Sequence, residues 1–142
     1  MLITNHVVSG ALVGLAAPGP VSAFAVGVAS HFALDSVPHW GDQDPDVFLR
    51  VAVPDGLIGL ATMAVIAKAA GPERRARVVA GMLGACFPDA DKPSELFFGR
   101  SPFPVPVDDW HKSIQRESTR RMPQEFIVAT LGALVVRRLL TG

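Results

Sequence analysis

The sequence predicts an all-α protein: a bundle of about five apolar helices, transmembrane or membrane-embedded, with a long polar and aromatic loop at one end. Three observations predict it. Charged residues are only 18% of the chain, against about a quarter in ordinary soluble proteins. The mean hydropathy is +0.35. The apolar residues fall into five segments separated by proline, glycine and charged breakers. The 142 residues suffice for one domain and one core, so residues 1–142 are read as a single helical unit.

The first segment runs from Met1 to Ala17. Thr4 or Asn5 is expected to cap a helix beginning near His6. Gly10 and Gly14, in a G-x-x-x-G spacing, form a small-residue face on which a second helix can approach closely. Pro18-Gly19-Pro20 breaks the chain, and Val21 to about Val37 forms the second segment. Two such segments on a three-residue connection form an antiparallel hairpin, which returns the end of the second to the start of the first.

Ser30-His31-Phe32-Ala33-Leu34-Asp35-Ser36-Val37-Pro38-His39-Trp40 closes that segment. His31 and Asp35 are four apart and share a helix face. Pro38 ends the helix and leaves His39 just beyond it. Neutral imidazole and carboxylate together suit a zinc-like divalent ion; the bland reading is a helix C-terminus with a solvated His–Asp pair.

Gly41 to Asp46 is an acidic, turn-rich loop without the central glycine and final glutamate of a calcium-binding hand. The third segment is expected over Gly56 to Ala70, opened by Pro54 and by Asp55 as an N-cap or first-turn acid, with Val47 to Val53 as a short helix or approach. Gly71 to Arg77 reads as a basic turn, and Val78 to Phe87 as the fourth apolar run. Pro88-Asp89-Ala90-Asp91-Lys92-Pro93 follows, a turn by default in which alternate aspartates can also face a metal. Lys92 to Pro123 is the longest non-periodic stretch; its aromatics argue against disorder, and a loop of that length is usually functional. Glu125 to Leu140 is the last apolar helix.

If these segments cross one layer in alternate directions, His6, His31, Asp35, His39, Asp55, Asp89, Asp91 and His111 all reach the same end. So do all 13 acids except Glu73, whereas Arg74 to Arg77, Arg137 and Arg138 lie at the other end. Ionisable groups gathered on an apolar bundle must pair or ligate. The zero net charge gives no electrostatic case for nucleic acid. The single cysteine, Cys86, excludes an internal disulfide and a Cys-based zinc site. No cleavable signal peptide is expected, because the N-terminus lacks a basic region and proline follows Ala16-Ala17.

The motifs resemble a known family. Thr4-Asn5-His6 with Gly10, Ser30-His31-Phe32-Ala33-Leu34-Asp35 with Pro38-His39-Trp40, Gly84 to Pro93, and His111 with Arg116 are similar to the pattern of the bacterial inner-membrane-associated metal-dependent hydrolases of the LexA-binding type. Two positions depart from it: Lys92 stands where the pattern often has histidine, and Trp110-His111-Lys112 replaces the usual Thr-His-Ser. The resemblance implies a location in the bacterial inner (cytoplasmic) membrane and a divalent metal, with zinc the expected ion. The ligand candidates are His6, His31, Asp35, Asp89 and His111. Asp55 or Asp91 would act as base or orient a ligand. The expected activity is metal-assisted hydrolysis of a phosphoester or other amphiphile at a membrane surface, with membrane lipid as the partner. The competing class is a non-catalytic membrane scaffold or protein-partner-binding protein whose His–Asp cluster only holds helices and loop together; a soluble helical domain is the third reading.

Overall fold

The computed structural model describes Met1–Gly142 and is all-helical, with no strand. Seven α-helices follow in order: α1 (Ile3–Ala16), α2 (Pro20–Asp35), α3 (Pro45–Ala69), α4 (Gly71–Cys86), α5 (Asp91–Phe98), α6 (Val105–Ile114) and α7 (Met122–Thr141). Short 3-10 turns cover Phe87–Ala90 and Thr119–Arg121. The five helical segments expected from the sequence correspond to α1 to α4 and α7.

α4 is the spine, and both α1 and α2 pack along it. α1 also touches α3 and α7 and so lies inside the bundle. Glycine allows these close crossings. A Cβ built on Gly10 would lie 2.5 Å from the Gly81 carbonyl oxygen and 2.6 Å from Met82 Cα; one on Gly14 would lie 2.7 Å from Val78 Cα. The backbones therefore meet directly, as the G-x-x-x-G face anticipated. Around these crossings Val7, Val8 and Ala11 of α1, Ile66 of α3, Val78 and Met82 of α4 and Val136 of α7 form the apolar core.

The arginines at the far end close helix termini. Arg77 donates to Ala17 O (2.8 Å), Arg75 to Ala67 O (3.0 Å) and Arg74 to Leu139 O (3.2 Å), meeting the free carbonyls at the ends of α1, α3 and α7.

Several boundaries differ from the sequence expectation. α1 begins at Ile3 with Leu2 before it, and neither Thr4 nor Asn5 caps it. Its first amides are met from elsewhere in the fold: Leu2 N donates to Glu125 Oε2 (3.0 Å) and Thr4 N to Asp55 Oδ2 (3.3 Å). The third segment is one helix of 25 residues, with Pro54 inside it and Asp44 as its cap. Pro54 is on the exposed side, so the missing backbone bond falls outside the core. Asp55 is consequently mid-helix, and the helix whose start it serves is α1. The basic turn over Gly71 to Arg77 is instead the opening of α4. Gly71 makes the whole reversal with φ +70°, a left-handed geometry that glycine takes without penalty.

The stretch Lys92 to Pro123 is not a loop but mostly α5 and α6. Gly99 at φ +69° ends α5, and the chain resumes helix at Val105. Both helices are too short to carry a clear period, and prolines at their starts mask the pattern. The polar run after His111 stays in α6 as far as Ile114 and ends in the 3-10 turn Thr119–Arg121. One helix, Pro45–Ala69, is long and apolar enough to cross a membrane.

Candidate metal centre

The buried side chains are almost as often polar or charged as apolar, and the polar ones gather where α1 starts and α2 and α4 end. His31 and Asp35 occupy successive turns of α2, both fully buried. Asp89 enters from the 3-10 turn after α4. His111 enters from α6, held on α2 by edge contacts of Phe32 with Trp110 and His111.

The donor atoms of His31, Asp35, Asp89 and His111 all lie within 4.8 Å of one another. His31 Nε2 stands 3.1 Å from Asp35 Oδ2, 3.0 Å from His111 Nε2 and 3.7 Å from Asp89 Oδ1. His111 Nε2 is 3.0 Å from Asp35 Oδ2. Four tetrahedral donors about 2.1 Å from a zinc ion stand about 3.4 Å apart, in the middle of these separations.

The tautomer of His31 makes the arrangement specific. Its Nδ1 lies 2.7 Å from Ala85 O, a carbonyl that can only accept, so Nδ1 donates and Nε2 presents a lone pair. That lone pair faces the lone pairs of Asp35 and the ring nitrogen of His111. A cation at their centre would satisfy these buried atoms together. Histidine and carboxylate, with no thiolate, form a donor set of the zinc class.

The remaining candidates are placed around this group. His6 is fully buried and stacks on His31 with ring centroids 4.0 Å apart. Its Nε2 is 3.2 Å from Asp35 Oδ1, the carboxylate oxygen turned away from the four-donor centre and also met by the Met1 amine at 2.7 Å. His6 thus stands outside the four-donor group but against its central carboxylate. Asp91 begins α5, and its Oδ1 accepts from Lys92 N (2.8 Å). Asp55, bonded to Thr4, lines the apolar cavity on the other side of Asp89. Neither Asp55 nor Asp91 is in the four-donor group. His39 is fully buried beyond Pro38; its Nδ1 donates to Val37 O (2.8 Å) and its Nε2 has no partner. Backbone bonds from His39 N to Arg116 O (3.0 Å) and from Ser118 N to His39 O (2.9 Å) tie its loop to the strap after α6.

Lys92, where the family pattern often has histidine, forms an ion pair with Asp89 Oδ1. Burial is the largest single influence on the Asp89 carboxyl and pushes it up, but Lys92, His6 and His31 together outweigh it and hold it at about 2. Burial works to lower the Lys92 ammonium, yet Asp89 raises it above the ordinary lysine range.

Two residues had no site signal in the sequence reading. Gln115, the residue just past the end of α6, donates to Asp35 Oδ2 (3.3 Å), and its four-residue spacing from His111 could have shown it. Glu125 is buried and accepts from Leu2 N (3.0 Å), Asn5 Nδ2 (2.7 Å) and Trp40 N (2.9 Å). It clamps the start of α1 and the loop after α2 onto α7, and read alone it was only an acid at a helix start. Comparison with known protein families, with curated proteins and with solved structures finds no match to this chain.

Proposed function

We propose that the protein is a membrane-embedded, metal-dependent hydrolase acting on a phosphoester or related amphiphile at the membrane surface. The observation that carries the metal part is the lone pair of His31 Nε2, fixed by the Ala85 carbonyl and turned towards Asp35 and His111. His31, Asp35, Asp89 and His111 would hold a divalent ion, zinc being the best fit to the donor set. Bound there, the ion supplies Lewis-acid polarisation and a nucleophile at neutral pH. Asp35 serves two sides, with Oδ2 towards the ligand group and Oδ1 towards His6, so His6 orients the central carboxylate. Gln115 supports the same oxygen. Asp55 and Asp91 are the carboxylates left to orient substrate or move a proton. The motif resemblance to the inner-membrane hydrolases supports this reading and the bacterial inner membrane as its location.

The membrane part rests on the outer surface. Leu57, Leu60 and Val65 of α3 are each about two-thirds exposed, as is Phe126 of α7, and Ile127 and Leu131 behind it are more than half exposed. Contiguous apolar surface of this kind requires lipid or protein against it. At 1.5 Å per residue α3 is about 37 Å long, enough for a hydrocarbon layer of about 30 Å. Phe97, Phe98 and Trp110 are exposed near the metal centre, where aromatic rings suit the interface between lipid and water.

The ion pair of Lys92 with Asp89 favours a second reading. It closes one ligand position with a protein cation, as a non-catalytic scaffold or partner-binding protein would do. Metal analysis of purified protein separates the two. The hydrolase reading expects about one divalent ion per chain, lost in His31→Ala and Asp35→Ala, and metal-dependent cleavage of bis-p-nitrophenyl phosphate. Protein without metal at neutral pH, after incubation with zinc, would overturn it.

A further inference from the structure

A cavity of about 580 Å³ lies beside the metal centre, within the range of about 300–1,000 Å³ common to small-molecule sites. Its walls are apolar: Leu49, Val53, Leu57 and Leu60 of α3 on one side, Leu96 and Phe97 of α5 on the other. Its lining also includes Asp89, one of the four donors, with Lys92 and Gln115, so the slot adjoins the metal centre. The polar side chains on its wall are engaged: Lys92 with Asp89, Gln115 with Asp35, Asp55 with Thr4, and Glu117 with Gln43. Leu57, Leu60 and Phe97, at 66%, 65% and 75% exposure, rim it, so it opens on the same apolar outer surface as α3.

We propose that this cavity takes the hydrocarbon chain of a single-chain anionic lipid drawn from the bilayer, with its phosphate head at Lys92 beside the metal centre. The substrate class is thereby narrowed to lipid phosphoesters; the role of the head rests on the hydrolase reading, whereas the seat of the chain does not. A cavity of about 580 Å³ is of the size that a single alkyl chain can enter. Mostly apolar walls that adjoin a charged centre match an amphiphile in polarity as well as in size. Lys92, the side-chain cation on the lining, is paired with Asp89, and an anionic head would share its ammonium with that carboxylate. An apolar rim continuous with α3 lets a chain enter from lipid without crossing water.

The test is photolabelling in phosphatidylcholine nanodiscs with hexadecyl phosphate carrying a diazirine at the chain end, with adducts mapped by mass spectrometry. Adducts should concentrate on 49–60 and 96–97, and unlabelled hexadecyl phosphate should displace them while inorganic phosphate does not. Gly56 lines the cavity, and no atom lies within 4 Å of a Cβ built there, so Gly56→Phe can fill the slot without a backbone clash. It should cut cavity labelling at least tenfold while metal content stays unchanged; Ala52→Trp, one turn earlier on α3, should do the same. Equal labelling of the cavity and the outer face of α7, or labelling untouched by both variants, would overturn the proposal. His31→Ala should lose metal and keep the cavity adducts. Absence of metal with cavity labelling intact would defeat the hydrolase reading and leave the chain site standing; bound metal without cavity labelling would defeat only the chain site.

Discussion

Gly10→Ala is expected to destabilise the protein and weaken metal binding together. A Cβ at this position would lie 2.5 Å from Gly81 O, 2.6 Å from Met82 Cα and 2.9 Å from Ala85 Cβ, where ordinary contact begins at 3.4 Å. α1 would therefore have to retreat from α4 by about 0.9 Å, and two of the three obstacles are backbone that cannot rotate away. Overpacking of this kind costs up to about 3 kcal/mol, and the better helix propensity of alanine returns about 1 kcal/mol. A net loss of about 2 kcal/mol should lower Tm by about 6 °C, read from the fluorescence of the buried Trp40. The displaced turn lies directly after His6 and against Ala85, whose carbonyl sets the His31 tautomer, so metal affinity should fall by about tenfold, as when a ligand's support is disturbed. The control is Gly56→Ala. No atom lies within 4 Å of its built Cβ, so only propensity acts, and a gain of about 1 kcal/mol is expected with metal affinity unchanged. If both substitutions moved stability in the same direction, or Gly10→Ala left Tm and metal affinity intact, direct backbone contact between α1 and α4 would not be what positions the site.

Lys92→Met should strengthen divalent-ion binding by about tenfold in isothermal titration, because it removes a cation that competes for Asp89; unchanged or weaker binding would mean that the ammonium assists the site. Glu125→Gln should cost about 1–3 kcal/mol and shift the Trp40 emission to the red, because the amide must turn a donor towards Leu2 N, Asn5 Nδ2 or Trp40 N; an unaltered melt and spectrum would remove Glu125 from its clamping role. His39 gives a pH dependence. Burial, and then the positive Met1 amine, lower its pKa below the ordinary imidazole value of 6.5, so it resists protonation in the fold and accepts it freely when unfolded. Its contribution is complete above 6.5 and is lost as pH falls towards the folded value. The slope of unfolding free energy between about pH 7 and about pH 5 should therefore be shallower in His39→Gln, and an identical slope would exclude His39 as a source of acid sensitivity.

The sequence by itself determined the helical class, the breaker at Pro18-Gly19-Pro20, and the gathering of His6, His31, Asp35, Asp89 and His111 at one end. These follow from local physics: apolar run length, proline and glycine geometry, and the alternation of crossing directions. The His31–Asp35 pair was legible because a four-residue spacing on a helix fixes a shared face before any tertiary contact forms. Tertiary structure decided what depends on partners distant in the chain. Pro54 could sit inside α3 because the Arg50 carbonyl it leaves without a donor falls on the exposed side, which no local pattern states. α5 and α6 formed from a stretch too short and proline-rich for a period to stand out; contact of Phe32 with Trp110 and His111 docks α6 on α2. Thr4 and Asn5 lost their capping role because Glu125 and Asp55, remote in sequence, receive the first amides of α1. The separation of His6 from the four-donor group, the hold of Lys92 on Asp89 and the apolar cavity beside them likewise arise only where α1, α3, α4 and α5 meet. Spacing along a chain sets direction within one helix, whereas the ångströms between donor atoms on different helices are set by how closely their backbones pack.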